Sequence, residues 1–222
     1  MPANLLHVDA SARTQSYSRA TGAAFADAWR AAGGGYTYRD LAAEPLPHIT
    51  EANTELSAMA GLDGVTDVAG LARLPRTAAQ RAAWARSEPL LAELQAADVL
   101  LIGTPMYNFG IPSALKSWID QVTFAGVKLG PGIAVVATAR GGSYGPGAPQ
   151  EPYEFQERYL RAYLTSYGPA DVRFLNTELT LAPVLPPMSG LIEQHHASRD
   201  AALDEARTLA RRLAADPTPA AA

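Results

Sequence analysis

Val99-Leu100-Leu101-Ile102-Gly103-Thr104-Pro105-Met106-Tyr107-Asn108-Phe109-Gly110-Ile111-Pro112-Ser113 decides the fold of this chain. Its opening, within Ala97–Gly103, is an unbroken aliphatic run, the pattern of a strand covered on both faces. Its close puts Pro112 where a first helical turn tolerates proline, so the loop Thr104–Ser113 hands over to a helix at Ala114–Val122. A doubly buried strand, a loop and then a helix is the repeating unit of a parallel sheet with helices packed above and below it.

The same signals recur on either side. Leu5–Val8, bounded by Asp9-Ala10-Ser11, and Ile133–Ala137 within Gly132–Thr138 are further buried runs. Tyr36–Arg39, rich in β-prone residues, and the short Asp171–Leu175 bring the strands to five. Helices are predicted from Ser18 to the Gly33-Gly34-Gly35 stop, over Thr77–Ala96 with Pro89 placed to kink it, over Tyr153–Ser166, and over Leu191–Ala214. In the last, Leu203, Ala206, Leu209, Ala210 and Leu213 draw one apolar face. Residues 41–75 mix Pro45, Pro47, Gly61, Gly64 and Gly70 with short helical stretches and read as an irregular excursion. This alternation, joined by right-handed crossovers, predicts an α/β fold: a doubly wound, five-stranded parallel sheet in the flavodoxin-like order 2-1-3-4-5, with helices on both faces. Residues 1–215 are expected to form this single domain, and the Pro- and Ala-rich tail 216–222 to fray.

Composition narrows what such a sheet can serve. Lys and Arg number 18 against 22 Asp and Glu, a net charge of −4, so there is no cationic excess to neutralise phosphates and no nucleic acid partner is expected. The absence of cysteine excludes disulfides, thiolate metal sites and a Cys nucleophile. No apolar run reaches the roughly 18 residues of a membrane span, and the first residues lack the basic and apolar regions of a signal peptide. A soluble, cytoplasmic protein without membrane contact is therefore expected. His195 and His196 are adjacent on a helix and face different ways, and His7 lies inside a strand, so no metal site is expected either.

Open α/β sheets bind ligands beyond the carboxyl ends of their strands, which directs attention to three loops. After the first strand comes Ser11-Ala12-Arg13-Thr14-Gln15-Ser16-Tyr17-Ser18-Arg19. One serine there is accounted for as a helix cap. Ser11, Ser16 and Ser18 together, with Arg13 beside them at the positive end of a helix, read as an anion site. Neither G-x-x-x-x-G-K-[ST] nor G-x-G-x-x-G is present, so the triphosphate and dinucleotide sites of those motifs are not supported. The loop after the third strand carries Met106, Tyr107 and Phe109, which suit a planar, partly polar ring system. The loop after the fourth, Ala139-Arg140-Gly141-Gly142-Ser143-Tyr144-Gly145, has paired glycines that permit either a close ligand approach or a tight turn. A crevice with a phosphate end and a flat-ring end has the shape of a mononucleotide, and flavin mononucleotide (FMN) is the natural candidate.

The motif Pro105-Met106-Tyr107-Asn108-Phe109, followed by Ile111-Pro112, Leu115-Lys116, Trp118-Ile119-Asp120 and Ala125-Gly126-Val127, resembles the FMN-dependent NADH:quinone oxidoreductase and azoreductase family. Ala10-Ser11-Ala12-Arg13 with Ser16-Tyr17-Ser18-Arg19 is similar to that family's phosphate loop, and Arg140-Gly141-Gly142 to its third loop. Arg39-Asp40-Leu41 and Tyr159-Leu160-Arg161 also match, so the resemblance covers nearly the whole chain. It implies that Ser11, Ser16, Tyr17 and Ser18, with Arg13 beside them, hold the FMN phosphate. It further implies that Pro105, Met106, Tyr107, Asn108 and Phe109 line the isoalloxazine ring. Ala139, Arg140, Gly141 and Gly142 would meet the ring's polar edge, where backbone amides stabilise negative charge on reduced flavin. NADH or NADPH as electron donor, a quinone or azo compound as acceptor, a two-step ping-pong order and a homodimer with flavin near the subunit interface are implied as well.

One departure from the family pattern stands out. Val127 is followed by only Lys128-Leu129-Gly130-Pro131 before the fourth strand, which shortens a wall of the substrate pocket. The Gly- and Pro-rich run Ser143–Pro152 is placed to replace part of that cover. Since the cofactor carries the chemistry, no side-chain acid is essential, and Tyr107, Arg140 and Tyr144 are candidates for assisting proton delivery. Three rival readings are a hydrolase, an electron carrier without substrate turnover, and an FMN-free binding module. The hydrolase lacks G-x-S-x-G around Ser11 and any histidine placed to serve it.

Overall fold

The computed structural model describes residues 2–128 and 130–219; Leu129 of the shortened segment and residues 220–222 of the tail lie outside the described residues. Five strands, β1 (Asn4–Asp9), β2 (Gly35–Asp40), β3 (Val99–Pro105), β4 (Ile133–Ala139) and β5 (Asp171–Thr177), form one sheet in the order β2-β1-β3-β4-β5. Every pairing is parallel, with Leu5 opposite Val99, Val99 opposite Ile133 and Ile133 opposite Asp171. The expected order is therefore observed.

Strand alternation divides the core in two. Leu6, Val8, Leu100, Ile102, Ala134 and Val136 point to one face, where α4 (Ala78–Ala96), α5 (Ser113–Val122) and α6 (Gln156–Tyr167) cover them with Leu91, Leu94, Leu115, Trp118, Leu160 and Leu164. Leu5, Val99, Leu101, Ile133 and Val135 point to the other, beneath α1 (Tyr17–Ala31) and α7 (Ile192–Ala215), which contribute Phe25, Trp29, Leu209 and Leu213. A residue of the central strands is thus enclosed on either face, which is why β3 and β4 are buried throughout and open on aliphatic runs. No helix among the described residues is long and apolar enough to cross a membrane.

Two boundaries differ from expectation. The excursion over residues 41–75 contains a helix of three turns, α2 (Glu51–Leu62), and a short one, α3 (Val68–Leu71). Ala52, Leu56 and Ala60, spaced by four, form the buried stripe of α2, and Asn53 Oδ1 accepts the Thr50 N–H at 2.9 Å as an N-terminal cap. The helix expected from Tyr153 begins at Gln156 instead. Tyr153 closes a 3-10 turn, and the Glu154 carboxylate, accepting the Glu157 N–H at 2.7 Å, sets the start of α6. The helix α4 is continuous through Pro89, within the expected span Thr77–Ala96, with Thr77 as its N-cap.

Candidate functional site

Beyond the strand ends the chain stays in register. The Ala10 N–H donates to Gly103 O at 2.8 Å, Met106 N–H to Ala139 O at 2.8 Å, and Arg140 N–H to Thr177 O at 2.9 Å. These bonds carry three loops out of one sheet edge side by side.

The first loop is built around an open helix start. Ser16 has the extended backbone of an N-cap (φ −129°, ψ 140°), yet its hydroxyl caps none of the first amides of α1 and instead pairs with Ser18 Oγ at 2.9 Å. The first turn holds no acidic residue. Ser11 is buried, and its Oγ accepts the Arg13 N–H at 3.2 Å, while Arg13 itself is exposed. The Ser16 hydroxyl, the unfilled helix amides and two arginines, exposed Arg13 and ion-paired Arg19, thus share a cleft of about 630 Å³, with Tyr17, Thr180 and Leu181 also in its lining and the buried Ser11 and Ser18 behind it. An anion is the ligand this donor set suits.

Beneath the loop lies a polar cluster that only the assembled fold brings together. Arg19 on the first turn of α1 pairs with Asp40 at the end of β2, and Tyr38 donates to the buried Asp9 at 3.0 Å. The Arg19 hydrogen bonds hold the Asp40 carboxyl below its ordinary range, and burial pushes the Tyr38 phenol up. His7 Nδ1 meets the Tyr36 hydroxyl at 3.0 Å, and burial raises that phenol to about 12. His195 is likewise structural, its Nδ1 at 3.0 Å from Glu178 O and its ring against Tyr17.

The loop after β3 is a two-residue turn. Tyr107 and Gly110 exchange both backbone hydrogen bonds at 3.0 Å, and Asn108 (φ +49°) and Phe109 (φ +67°) fill its left-handed positions. Asparagine accepts that geometry; phenylalanine does not do so readily, at a cost of about 1–2 kcal/mol. Burial offsets little of this, since Phe109 is 46% exposed and its ring lies 5.3 Å from that of the exposed Tyr153. Pro105 is buried beneath, Met106 and Tyr107 are half-buried, and Tyr107 and Asn108 open onto a cavity of about 730 Å³ shared with His48, Lys116, Phe155 and Tyr159.

The loop after β4 is organised differently. The Arg140 side chain is buried and faces three carboxylates, Glu157 at 3.1 Å, Glu154 at 3.6 Å and Glu178 at 3.7 Å. A Cβ on Gly141 would lie 2.8 Å from Leu181 Cδ1, and one on Gly142 would lie 1.5 Å from Gln150 Oε1. The carbonyls of Arg140, Gly141 and Gly142 accept the N–H groups of Thr180, Leu181 and Leu179, whereas the Gly141 and Gly142 amides donate to no described residue. Tyr144 is buried, which raises its phenol, and it shares a cavity of about 380 Å³ with Arg140 rather than the one lined by Tyr107. The three candidate proton-handling residues, Tyr107, Arg140 and Tyr144, are therefore not brought to one point.

Residues 3–208 match the flavodoxin-like fold family. An FMN-dependent NADH:quinone oxidoreductase from Nocardia farcinica is 52% identical over 210 residues, covering 93% of this chain and 97% of that protein. One of the same name from Streptomyces avermitilis is 42% identical over 224 residues, covering 96% and 97%. Among solved structures, an azoreductase from Bacillus anthracis has the same fold, with a TM-score of 0.76 at 22% identity over 95% of this chain and 99% of that one.

Proposed function

Since the chain belongs to the family of FMN-dependent NADH:quinone oxidoreductases, within the flavodoxin-like fold, we propose that it binds FMN at this sheet edge and reduces quinones or azo compounds with NADH or NADPH. The observation that carries this reading is the pairing, on neighbouring strand ends, of an uncapped serine-rich helix start with a strained, exposed aromatic turn. Neither feature serves the fold; one suits a phosphate and the other a flat ring.

Ser11, Ser16, Ser18 and the first amides of α1 would hold the phosphate, with Arg13 and Tyr17 at its margin. Met106, Tyr107, Asn108 and Phe109 would line the ring above Pro105. The Gly141 and Gly142 amides would face its polar edge, Ala139 and the Arg140 backbone supplying their support. The chemistry the bound flavin supplies is hydride relay, from the nicotinamide donor to the acceptor in two successive half-reactions. The protein's share is to orient, to exclude water and to set the electrostatics around the ring. A homodimer is part of the proposal, supported by Phe109, Tyr153 and Phe155, which stand exposed together beside the ring loop. Reduced nicotinamide as donor fits a cytoplasmic setting.

The test is direct. Purified protein should be yellow, bleach anaerobically on addition of NADH or NADPH, and recover its colour with a quinone or an azo dye. Colourless protein that takes up no added FMN would overturn the assignment.

A further inference from the structure

Arg19 stands where a helix least favours a cation. It is the third residue of α1, at the positive end of the helix dipole, and its side chain is only 14% exposed. Its hydrogen bonds explain the placement. Nη2 and Nη1 fork onto Asp40, at 2.7 Å to Oδ1 and 2.9 Å to Oδ2. Nη2 also donates to the Ser11 carbonyl at 2.8 Å, and Nη1 to the Tyr38 hydroxyl at 2.9 Å. Tyr38 passes the link to Asp9, whose Oδ2 also lies 3.5 Å from Nη1. Asp40 Oδ1 is anchored in turn by the Ala42 N–H at 2.9 Å. One guanidinium therefore ties the ends of β1 and β2 to the first turn of α1 and to the loop between β1 and α1.

The Ser11 bond has a geometric consequence. A trans peptide is planar, and its C=O and N–H point in opposite directions. With the Ser11 carbonyl drawn back onto Arg19, the N–H of Ala12 is directed to the other side of the loop, away from the guanidinium. Without that bond the peptide is free to turn its carbonyl, a partial negative charge, toward an incoming anion. Arg19 itself is occupied by Asp40, so its contribution is orientation rather than a free charge.

We propose that the Arg19–Asp40 pair is a positioning device that fixes the Ser11–Ala12 peptide and thereby makes the loop select a phosphorylated over an unphosphorylated flavin. The proposal rests on the reading of this loop as the FMN phosphate site. Arg19→Lys keeps the charge but loses the fork. Asp40→Asn keeps the shape but releases the guanidinium. Binding of FMN and of riboflavin to flavin-stripped full-length protein is measured by quenching of flavin fluorescence, with thermal unfolding of each variant alongside.

In both variants FMN is expected to bind about tenfold more weakly, as for a charge-assisted hydrogen bond lost, with riboflavin unchanged. A pure charge effect gives a different pattern: no change for Arg19→Lys and tighter FMN binding for Asp40→Asn. That result, or equal weakening of both flavins, overturns the proposal. Wild-type protein that binds riboflavin as tightly as FMN would instead refute the phosphate-site reading, and the positioning role with it. The near-isosteric Asp40→Asn keeps the test decisive should the Arg19 variant fold poorly.

Discussion

The loops after β3 and β4 leave adjacent strands of one sheet edge, and the sequence marks both with residues of special conformation or charge. In the β4 loop, the protein's own atoms account for those residues. Gly141 and Gly142 make room for Leu181 and Gln150, and Arg140 satisfies carboxylates from α6 and from the turn after β5. In the β3 loop they do so less: Phe109 holds a left-handed backbone and a ring that, among the described residues, meets only the exposed ring of Tyr153. Unusual residues at a strand end therefore fall into two kinds. On the proposed reading, those answered from within would meet the flavin only through the backbone they hold, and those left unanswered would meet it with their side chains.

The sharpest way to separate the two is to remove Arg140. Arg140→Met leaves the nearly buried Glu154, and Glu157 and Glu178 beside it, without their shared cation. Loss of one partner from a buried charge cluster costs about 3–5 kcal/mol, which urea denaturation will register. A loss below about 1 kcal/mol would place Arg140 with the ligand-facing residues instead. On the β3 side the matching change is Asn108→Asp. Aspartate tolerates the left-handed turn, so the fold should be untouched. The added charge beside the ring should lower the flavin's midpoint potential by on the order of 30 mV, about 1.4 kcal/mol for two electrons. Unchanged flavin content and potential would remove Asn108 from the ring's surroundings.

Phe109→Asn tests the strain itself. Asparagine occupies the left-handed region more easily, and the ring pair with Tyr153 that it gives up is exposed. Stability should rise by about 1 kcal/mol while flavin retention falls. A variant that is less stable would mean that Phe109 earns its conformation within the fold.

What could be read in advance follows the range of the forces involved. The central strands β1, β3 and β4 are visible because burial on two faces demands aliphatic runs; the half-exposed edge strands β2 and β5 show only β-prone residues at the right spacing, and the order follows from right-handed crossovers. The three loops were legible for the same reason, as they follow those strands. Residues 41–75 show only short helical stretches in the sequence, and the three-turn length of α2 stays hidden because Leu56 is the one large apolar side chain on its buried stripe and its cap is the less familiar pair Thr50–Asn53. The direction of the Arg140 side chain was illegible because its partners come from residues 154, 157 and 178, and only the assembled fold collects them. Arg19 and Asp40 both sat inside recognisable motifs. Their meeting depends on the parallel register that sets Asp9 opposite Asp40, which neither motif encodes.

The smallest expected effect concerns pH and isolates one arm of the Arg140 cluster. Burial pushes the Glu157 carboxyl up, but hydrogen bonds from Arg161, Asn176 and Arg140 outweigh it and hold the group below its ordinary value of 4.5. A carboxyl whose folded value is depressed stabilises the protein above the unfolded value and loses that contribution as pH falls through the folded one. Stability should therefore be flat in this respect above about pH 4.5 and decline below it. Glu157→Gln should shrink that decline by less than about 1 kcal/mol, since a half-exposed carboxylate is screened by solvent. The same variant should leave the Phe109 turn and its flavin retention as they are, because no hydrogen bond or ion pair links Glu157 to residues 107–110 among the described residues. If the acid limb of the stability curve is identical in the two proteins, the hydrogen bonds to Glu157 do not hold its carboxyl below the ordinary value, and this arm of the cluster contributes nothing to acid sensitivity.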